Sequence, residues 1–103
     1  MGGSSAISGQ IAIRGVPEDF DDWATGGCAG CSYADELPAF RRLESDARFG
    51  AEPYQGANGP IPIYRAPVSK WGAIDQALAE AAPDAAYPWA ADHHAPGSTG
   101  ISP

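Results

Sequence analysis

The sequence predicts a small α+β fold that consists mostly of short helices and loops, with one or two short strands. Three segments repeat apolar residues at the three-to-four-residue spacing of a helix with one buried face. Two shorter segments alternate apolar residues with other residues, as strands do. The 13 glycines and 10 prolines of the 103-residue chain interrupt these segments and keep them short.

The first elements lie near the N-terminus. Ile11 and Ile13 alternate with Ala12, which predicts a short strand at 11–13. A helix is predicted over 17–25, because a proline suits the first helical position and the acidic residues after it complement the positive end of the helix dipole. Phe20 and Trp23 are three residues apart and therefore share a face of this helix.

The longest predicted helix covers 32–47. Ser32 and Asp35 have the spacing of a capping box. One apolar stripe then runs along the helix, and Glu44 falls on the opposite, solvent-facing side; the stripe consists of Tyr33, Leu37, Phe40 and Leu43. Pro38 deletes one backbone hydrogen bond, so we expect a kink there without loss of the helix.

The C-terminal half has one further strand and one further helix. Residues 49–60 are expected to form a loop, and 59–65 a short strand that Pro62 restricts to a sheet edge or a bulge. An amphipathic helix is predicted over 71–82, followed by a loop to the C-terminus. No internal repeat appears, and no linker divides the chain.

The composition predicts a thin apolar core. Leu, Ile, Val and Phe together number 15 of 103 residues, and the formal net charge is −7. Such a chain has little apolar burial to offset its conformational entropy. We therefore expect it to be disordered by itself or to be a piece of a larger protein.

Several functional classes are disfavoured by the same features. The sequence contains no apolar run of the roughly 18 residues that a membrane-spanning helix needs, and Met1 to Ser5 lack the basic and apolar regions of a secretory signal. A pI near 4.4 argues against a nucleic-acid partner. We expect a bacterial, cytoplasmic protein without a membrane segment.

Two clusters of chemically active residues stand out. Cys28 and Cys31 have C-x-x-C spacing, which suits a redox pair or half of a zinc site, but no strand precedes them and two further zinc ligands are not obvious. Asp92, His93 and His94 could supply metal ligands or a general base. We interpret both clusters as loop residues first, and we predict no metal site and no catalytic residue.

The N-terminal Gly-Gly-Ser-Ser turn is the third candidate. Gly2 and Gly3 leave backbone N–H groups open, and Ser4 and Ser5 add two hydroxyls at a predicted helix start. Such a turn is an anion cradle suited to phosphate, although glycine and serine also cluster at chain ends for no functional reason.

Five segments, in order along the chain, resemble the glucose–methanol–choline (GMC) oxidoreductases. The flavin-contacting signature of that family reads G-G-S-S-x-I-N-G-x-V-x-x-R-G, and its later motifs read P-x-D-Y/F-D-x-W, W-S-Y-x-D-x-L-P-Y-F-x-R-x-E and Y-H-G-x-x-G-P-L-x-V before a D-x-N loop. The corresponding segments here are 2–15 (GGSSAISGQIAIRG), 17–23 (PEDFDDW), 31–44 (CSYADELPAFRRLE), 54–63 (YQGANGPIPI) and 87–94 (YPWAADHH).

The resemblance implies a fold, a cofactor and a reaction. Members join a Rossmann-type FAD domain to a substrate domain and oxidise an alcohol CH–OH group by hydride transfer to the flavin. It implies that residues 1–15 form the flavin-contacting segment and that 16–103 lead into the substrate domain. The implied cofactor-binding residues are Gly2, Gly3, Ser4 and Ser5, at the phosphate and ribityl atoms, and Ser8, Gly9, Gln10 and Ile11, at the flavin ring.

Some positions depart from the family pattern. Ser8 stands where the family usually has Asn or His, Cys31 where it has Trp, and His94 where it has Asn. The G-x-G-x-x-G fingerprint and the catalytic histidine of the family are not in the sequence, so we expect a fragment that lacks the Rossmann core and is inactive alone. The alternatives are a non-catalytic module that binds a flavin or a partner, and a C-x-x-C redox or metal protein.

Overall fold

A computed structural model describes residues 9–103, in which three α-helices and a two-stranded parallel sheet are connected by loops. The small α+β fold class predicted from the sequence is therefore confirmed. The helices and strands are α1 (Pro17–Thr25), α2 (Tyr33–Leu43), β1 (Glu44–Asp46), β2 (Ile61–Ile63) and α3 (Ala73–Ala81), with single 3₁₀ turns at Val68–Lys70 and Pro83–Ala85.

Helices α1 and α2 pack against each other through aromatic side chains. The ring of Phe20, which is buried, lies 5.4 Å from Trp23, 6.0 Å from Tyr33 and 5.6 Å from Phe40, measured between centroids. These edge-on and tilted arrangements are the ones that aromatic pairs favour. The aromatic stripes predicted for the two helices thus meet each other.

Both helices begin as the sequence predicts. Pro17 occupies the first position of α1. Ser32 caps α2, where its hydroxyl accepts from the Asp35 amide and the Asp35 carboxylate accepts from the Ser32 amide. Helix α2 continues through Pro38, so the predicted persistence of the helix at this proline is confirmed.

The predicted extension of this helix to residue 47 is wrong, because the chain becomes extended at Glu44. The side chains of Glu44 and Asp46 are both buried, and they point to the same side of β1 at the two-residue period of a strand. Each makes an ion pair with an arginine from another segment. Glu44 is therefore not on a solvent-facing side, whereas Leu43 is 47% exposed and does not belong to the apolar face.

Strand β1 pairs with β2 in parallel, Ser45 opposite Pro62. Residues 47–60 form the crossover as a loop, which confirms the predicted loop at 49–60, and this loop packs closely on the end of α2. A Cβ at Gly56 would overlap the Arg41 carbonyl oxygen, and one at Gly59 would overlap the backbone at the junction of α2 and β1. The two glycines are therefore needed for close backbone approach.

Two other predictions need correction. Residues 11–16 have no regular secondary structure, so the predicted strand at 11–13 does not form. Helix α3 is shorter than the predicted helix at 71–82, and Ile74 and Leu78 on its apolar stripe are exposed. In both segments the apolar side chains are exposed, so apolar spacing alone did not indicate a face that the described chain buries.

The interior of the described chain is more polar than apolar. Phe20 and Ala82 are the buried apolar residues, as the thin-core prediction implies. Four polar side chains are equally buried: Glu44, Asp46, Gln55 and Asp92. Hydrogen bonds and ion pairs with Arg14 and Arg65 connect these four side chains to one another.

Candidate functional site

A buried ion network joins the N-terminal segment to β1, the crossover loop and the C-terminal loop. We define it as Arg14, Glu44, Asp46, Gln55, Arg65 and Asp92. Its carboxylates and arginines come from positions far apart in the chain, and every buried side-chain nitrogen and oxygen of the described residues has a hydrogen-bond partner. Such satisfaction is what permits charges to be buried.

Arg14 connects the N-terminal segment to this network. Its guanidinium donates to both carboxylate oxygens of Glu44, with Nε 2.9 Å from Oε1. Nη1 donates to the Tyr54 carbonyl oxygen at 2.6 Å, and Nη2 donates to Gln55 Oε1 at 2.8 Å. The guanidinium also lies 5.2 Å from the centroid of the Phe40 ring. A planar, five-donor group is required to satisfy these directions at once.

Arg65 holds the other half of the network. One of its terminal nitrogens donates to Asp46 and the other donates to Asp92 Oδ1 at 2.7 Å. Its guanidinium covers the Phe49 ring at 4.9 Å from the centroid. One cation thus links β1, the crossover loop and the C-terminal loop.

Gln55 connects the two arginine halves. Its side chain has no solvent-exposed surface. Its amide oxygen accepts from Arg14, while its amide nitrogen donates to Asp92 Oδ2 at 2.8 Å and lies 3.3 Å from His94 Nδ1. Because a hydrogen-bond donor faces the amide oxygen and an acceptor faces the amide nitrogen, the amide has one orientation.

The network lowers the pKa values of Asp46 and Asp92. Burial by itself would raise the pKa of Asp46, but hydrogen bonds from the backbone at Phe49 and from Arg65 outweigh burial and lower it. Burial also opposes ionisation of Asp92, and donors from Gln55, the His94 amide and Arg65 lower its pKa. Both carboxylates are therefore held in the charged form.

A small cavity lies beside the network, and both histidines contribute to its lining. Its volume is about 170 Å³, and its polar lining includes Arg14, Tyr33, His93, His94 and Ser98. Burial lowers the pKa of His94, and the nearby positive charge of Arg14 lowers it further. The imidazole of His94 is therefore held neutral at pH 7, with a ring nitrogen near Gln55.

The structure corrects the interpretation of Asp92, His93 and His94 as solvated loop residues. His93 is exposed, but Asp92 is buried and His94 is half-buried, and both belong to the hydrogen-bonded centre of the chain. The sequence also contains no indication that Glu44, Gln55 or Arg65 belongs to the site. Their residue types gave no signal, because their role depends on partners brought together only by the fold.

The predicted cofactor-binding residues are only partly described. Gly2, Gly3, Ser4, Ser5 and Ser8 lie outside the described residues. Gly9 and Gln10 form an exposed turn with φ values of 69° and 57°, and Ile11 is 73% exposed. This turn ends four residues before Arg14, which places it next to the buried ion network in the chain.

Two further findings concern metals and membranes. Within residues 9–103, no group of three or more His, Cys, Asp or Glu side chains is arranged to hold a metal ion. Over the same residues, no helix has the length and apolar character required to cross a membrane.

Comparison with known proteins gives a consistent result. The sequence model of the GMC oxidoreductase family matches residues 1–101. The chain is 35% identical to an oxygen-dependent choline dehydrogenase of Brucella anthropi over 103 residues, which is all of this chain and 18% of the relative. It is 37% identical to the enzyme of the same name from Sinorhizobium fredii over 94 residues, 91% of this chain and 17% of that one.

A solved structure shows the same likeness. The crystal structure of pyridoxine 4-oxidase from Mesorbium loti superimposes with a TM-score of 0.68 and 28% identity, over 77% of this chain and 15% of that one. The chain thus spans under one fifth of the relatives it matches, and FAD is the cofactor expected of the family. With the family match covering nearly every residue, the chain belongs to the GMC oxidoreductase family.

Proposed function

We propose that this chain is one segment of a FAD-dependent oxidoreductase that oxidises the CH–OH group of an alcohol by hydride transfer to the flavin. The family match over residues 1–101 carries the proposal. Since the chain spans 18% of the choline dehydrogenase relative, other segments would supply the Rossmann core with its G-x-G-x-x-G fingerprint and the catalytic histidine. The 103-residue chain alone is then inactive.

The described part of the predicted flavin segment fits such a cofactor. Gly9 and Gln10 are exposed, and among the described residues only the side chain of Ile11 comes within 4 Å of a Cβ built on Gly9. Ile11 presents a free apolar side chain beside it. A flavin ring has an apolar face and a polar edge, so this pairing of surfaces suits it. When bound, FAD supplies the hydride acceptor.

In this proposal the two parts of the chain have different roles. In the proposal, residues 1–15 contact FAD, with Gly2, Gly3, Ser4 and Ser5 at the phosphate and ribityl atoms and Ser8, Gly9, Gln10 and Ile11 at the ring. Residues 16–103 lead into the substrate domain and supply the anchor for that segment. Arg14, held by Glu44, Gln55 and the Tyr54 carbonyl, limits how far the turn can move.

The test uses the full reading frame that contains this chain. We expect the purified product to retain a flavin and to reduce an electron-accepting dye when given an alcohol, with choline and pyridoxine as the first substrates to try because the relatives carry those names. A product that contains no flavin, or one that holds flavin but reduces no dye with any alcohol of a broad panel, would contradict the proposal.

The alternative of a flavin-binding module is tested on the 103-residue chain itself. Half of the proposed nucleotide site belongs to other segments, so fluorescence titration should show no FAD binding tighter than millimolar. Micromolar binding would favour a module that binds flavin without catalysis. A matched titration of a Gly2, Gly3, Ser4 and Ser5 deletion shows whether any signal comes from the proposed phosphate cradle.

A further inference from the structure

The connection between α1 and α2 is a tight turn with a cysteine at each end. The Cys31 amide donates to the Cys28 carbonyl oxygen at 3.1 Å, which closes a four-residue turn. Gly30, at the third position, has a φ of 84°. A positive φ at that position with an i+3 to i hydrogen bond is the signature of a type II β-turn.

This turn brings the two cysteines within the range of a disulfide. The Cα atoms at the two ends of a β-turn are less than about 7 Å apart, and disulfides join Cα atoms at about 4.4 to 6.8 Å. Sequence alone could not supply this geometry, because C-x-x-C spacing in an extended loop would separate the thiols. Only glycine adopts the required φ at no steric cost.

Both ends of the turn are fixed to the helices. The Cys28 amide donates to the Trp23 carbonyl oxygen at 3.0 Å. Past the turn, the Tyr33 amide donates to Asp21 Oδ1 at 3.0 Å. The positions of the two cysteines are therefore set by the packing of α1 and α2.

The thiols are free and accessible. Cys28 is exposed and Cys31 is half-buried, and neither is in a disulfide. No third potential metal ligand of the described chain lies with them, so zinc, which needs four ligands, has no site built from these residues. The chemistry that remains for this pair is reversible conversion between a dithiol and a disulfide.

We propose that Cys28 and Cys31 are a reversible dithiol–disulfide site that exchanges with small disulfides of the glutathione type. The Cys28 thiolate attacks one sulfur of glutathione disulfide, forms a mixed disulfide and releases one glutathione thiolate. The Cys31 thiolate then attacks the Cys28 sulfur, closes the intramolecular bond and releases the second glutathione. Two thiol protons leave, and glutathione disulfide takes up the two electrons. The site is independent of the proposed flavin chemistry.

The test is a thiol count at a fixed glutathione poise. The purified 103-residue chain is equilibrated with oxidised and reduced glutathione, quenched with acid, alkylated and weighed intact. We expect the main oxidised species to lack two hydrogens, to carry no glutathione and no alkyl label, and to recover both thiols in excess dithiol. Cys28→Ser and Cys31→Ser should each stop at one glutathione adduct.

Gly30→Ala is the matched control for the turn, since it keeps both thiols and open space surrounds the new methyl group. At the same poise, the ratio of closed disulfide to free dithiol should fall by about tenfold, because a left-handed conformation penalises alanine. Two free thiols, a glutathione on each cysteine, or disulfide-linked dimers in the parent chain would overturn the proposal. Equal closure in Gly30→Ala would overturn the role of the turn.

Discussion

Replacing Arg14 with lysine tests whether the buried ion network anchors the N-terminal segment. The change keeps the positive charge but removes the fork that reaches Glu44, Gln55 and the Tyr54 carbonyl oxygen. The Arg14 side chain is only 5% exposed, so water does not replace the lost donors. A single ammonium group cannot satisfy three partners in these directions.

The magnitude follows from the bonds lost. Hydrogen bonds to charged groups contribute about 1.5 to 3 kcal/mol each, and lysine retains part of them, so we expect the free energy of unfolding to fall by about 2 to 4 kcal/mol. With a urea dependence near 2 kcal/mol per molar, the unfolding midpoint moves down by about 1 to 2 M. Tryptophan fluorescence and far-ultraviolet circular dichroism report the transition.

Arg42→Lys is the matched control, because Arg42 is exposed on α2. It should change stability by no more than about 0.5 kcal/mol. If Arg14→Lys and Arg42→Lys unfold at the same urea concentration, the network does not stabilise the chain and the anchoring role is refuted. If Arg14→Lys has already lost helical signal without urea while Arg42→Lys has not, the predicted order of stability holds.

Three further predictions concern charge, pH and backbone contact. An Arg14→Met variant with Glu44→Met should be more stable than Arg14→Met alone, since the second change removes the uncompensated charge; a lower urea midpoint for the double variant would contradict this. The folded-state pKa of His94 lies below its ordinary 6.5, so the unfolded chain takes up the proton first and the free energy of unfolding should fall as pH drops below about 6.5. Denaturation at several pH values should show this loss, and His94→Asn should remove it. Gly59→Ala should cost about 3 kcal/mol through overlap with the backbone around Leu43, whereas Gly97→Ala, in open space at a φ of 70°, should cost about 1 kcal/mol; equal midpoints would refute the contact.

Much of the helical structure could be predicted from local signals. The start of α1 at Pro17 and the capping of α2 by Ser32 and Asp35 depend on residues a few positions apart. The aromatic stripes of these helices were also readable, because they meet each other within the described chain. The ordered motifs that indicated the family are likewise local patterns.

The end of α2 could not be predicted in the same way. Residues 44–47 continue the helical pattern of the sequence, yet Glu44 and Asp46 lie in a strand, where they form ion pairs with Arg14 and Arg65. Those partners are 30 and 19 residues away. No local propensity contains that information, and the free energy of pairing buried charges outweighs a weak helical preference.

The candidate site likewise combines features that the sequence determines with features that only the fold determines. The sequence by itself determined the family resemblance and the thin apolar core, because each depends on residue identity and short spacing. Only the tertiary structure decided that the interior is an ion network joining Arg14, Gln55 and Asp92, and that Gly30 closes a turn between two thiols. Hydrogen bonds and ion pairs depend on distance and direction, and those are fixed only when distant segments of the chain are packed together.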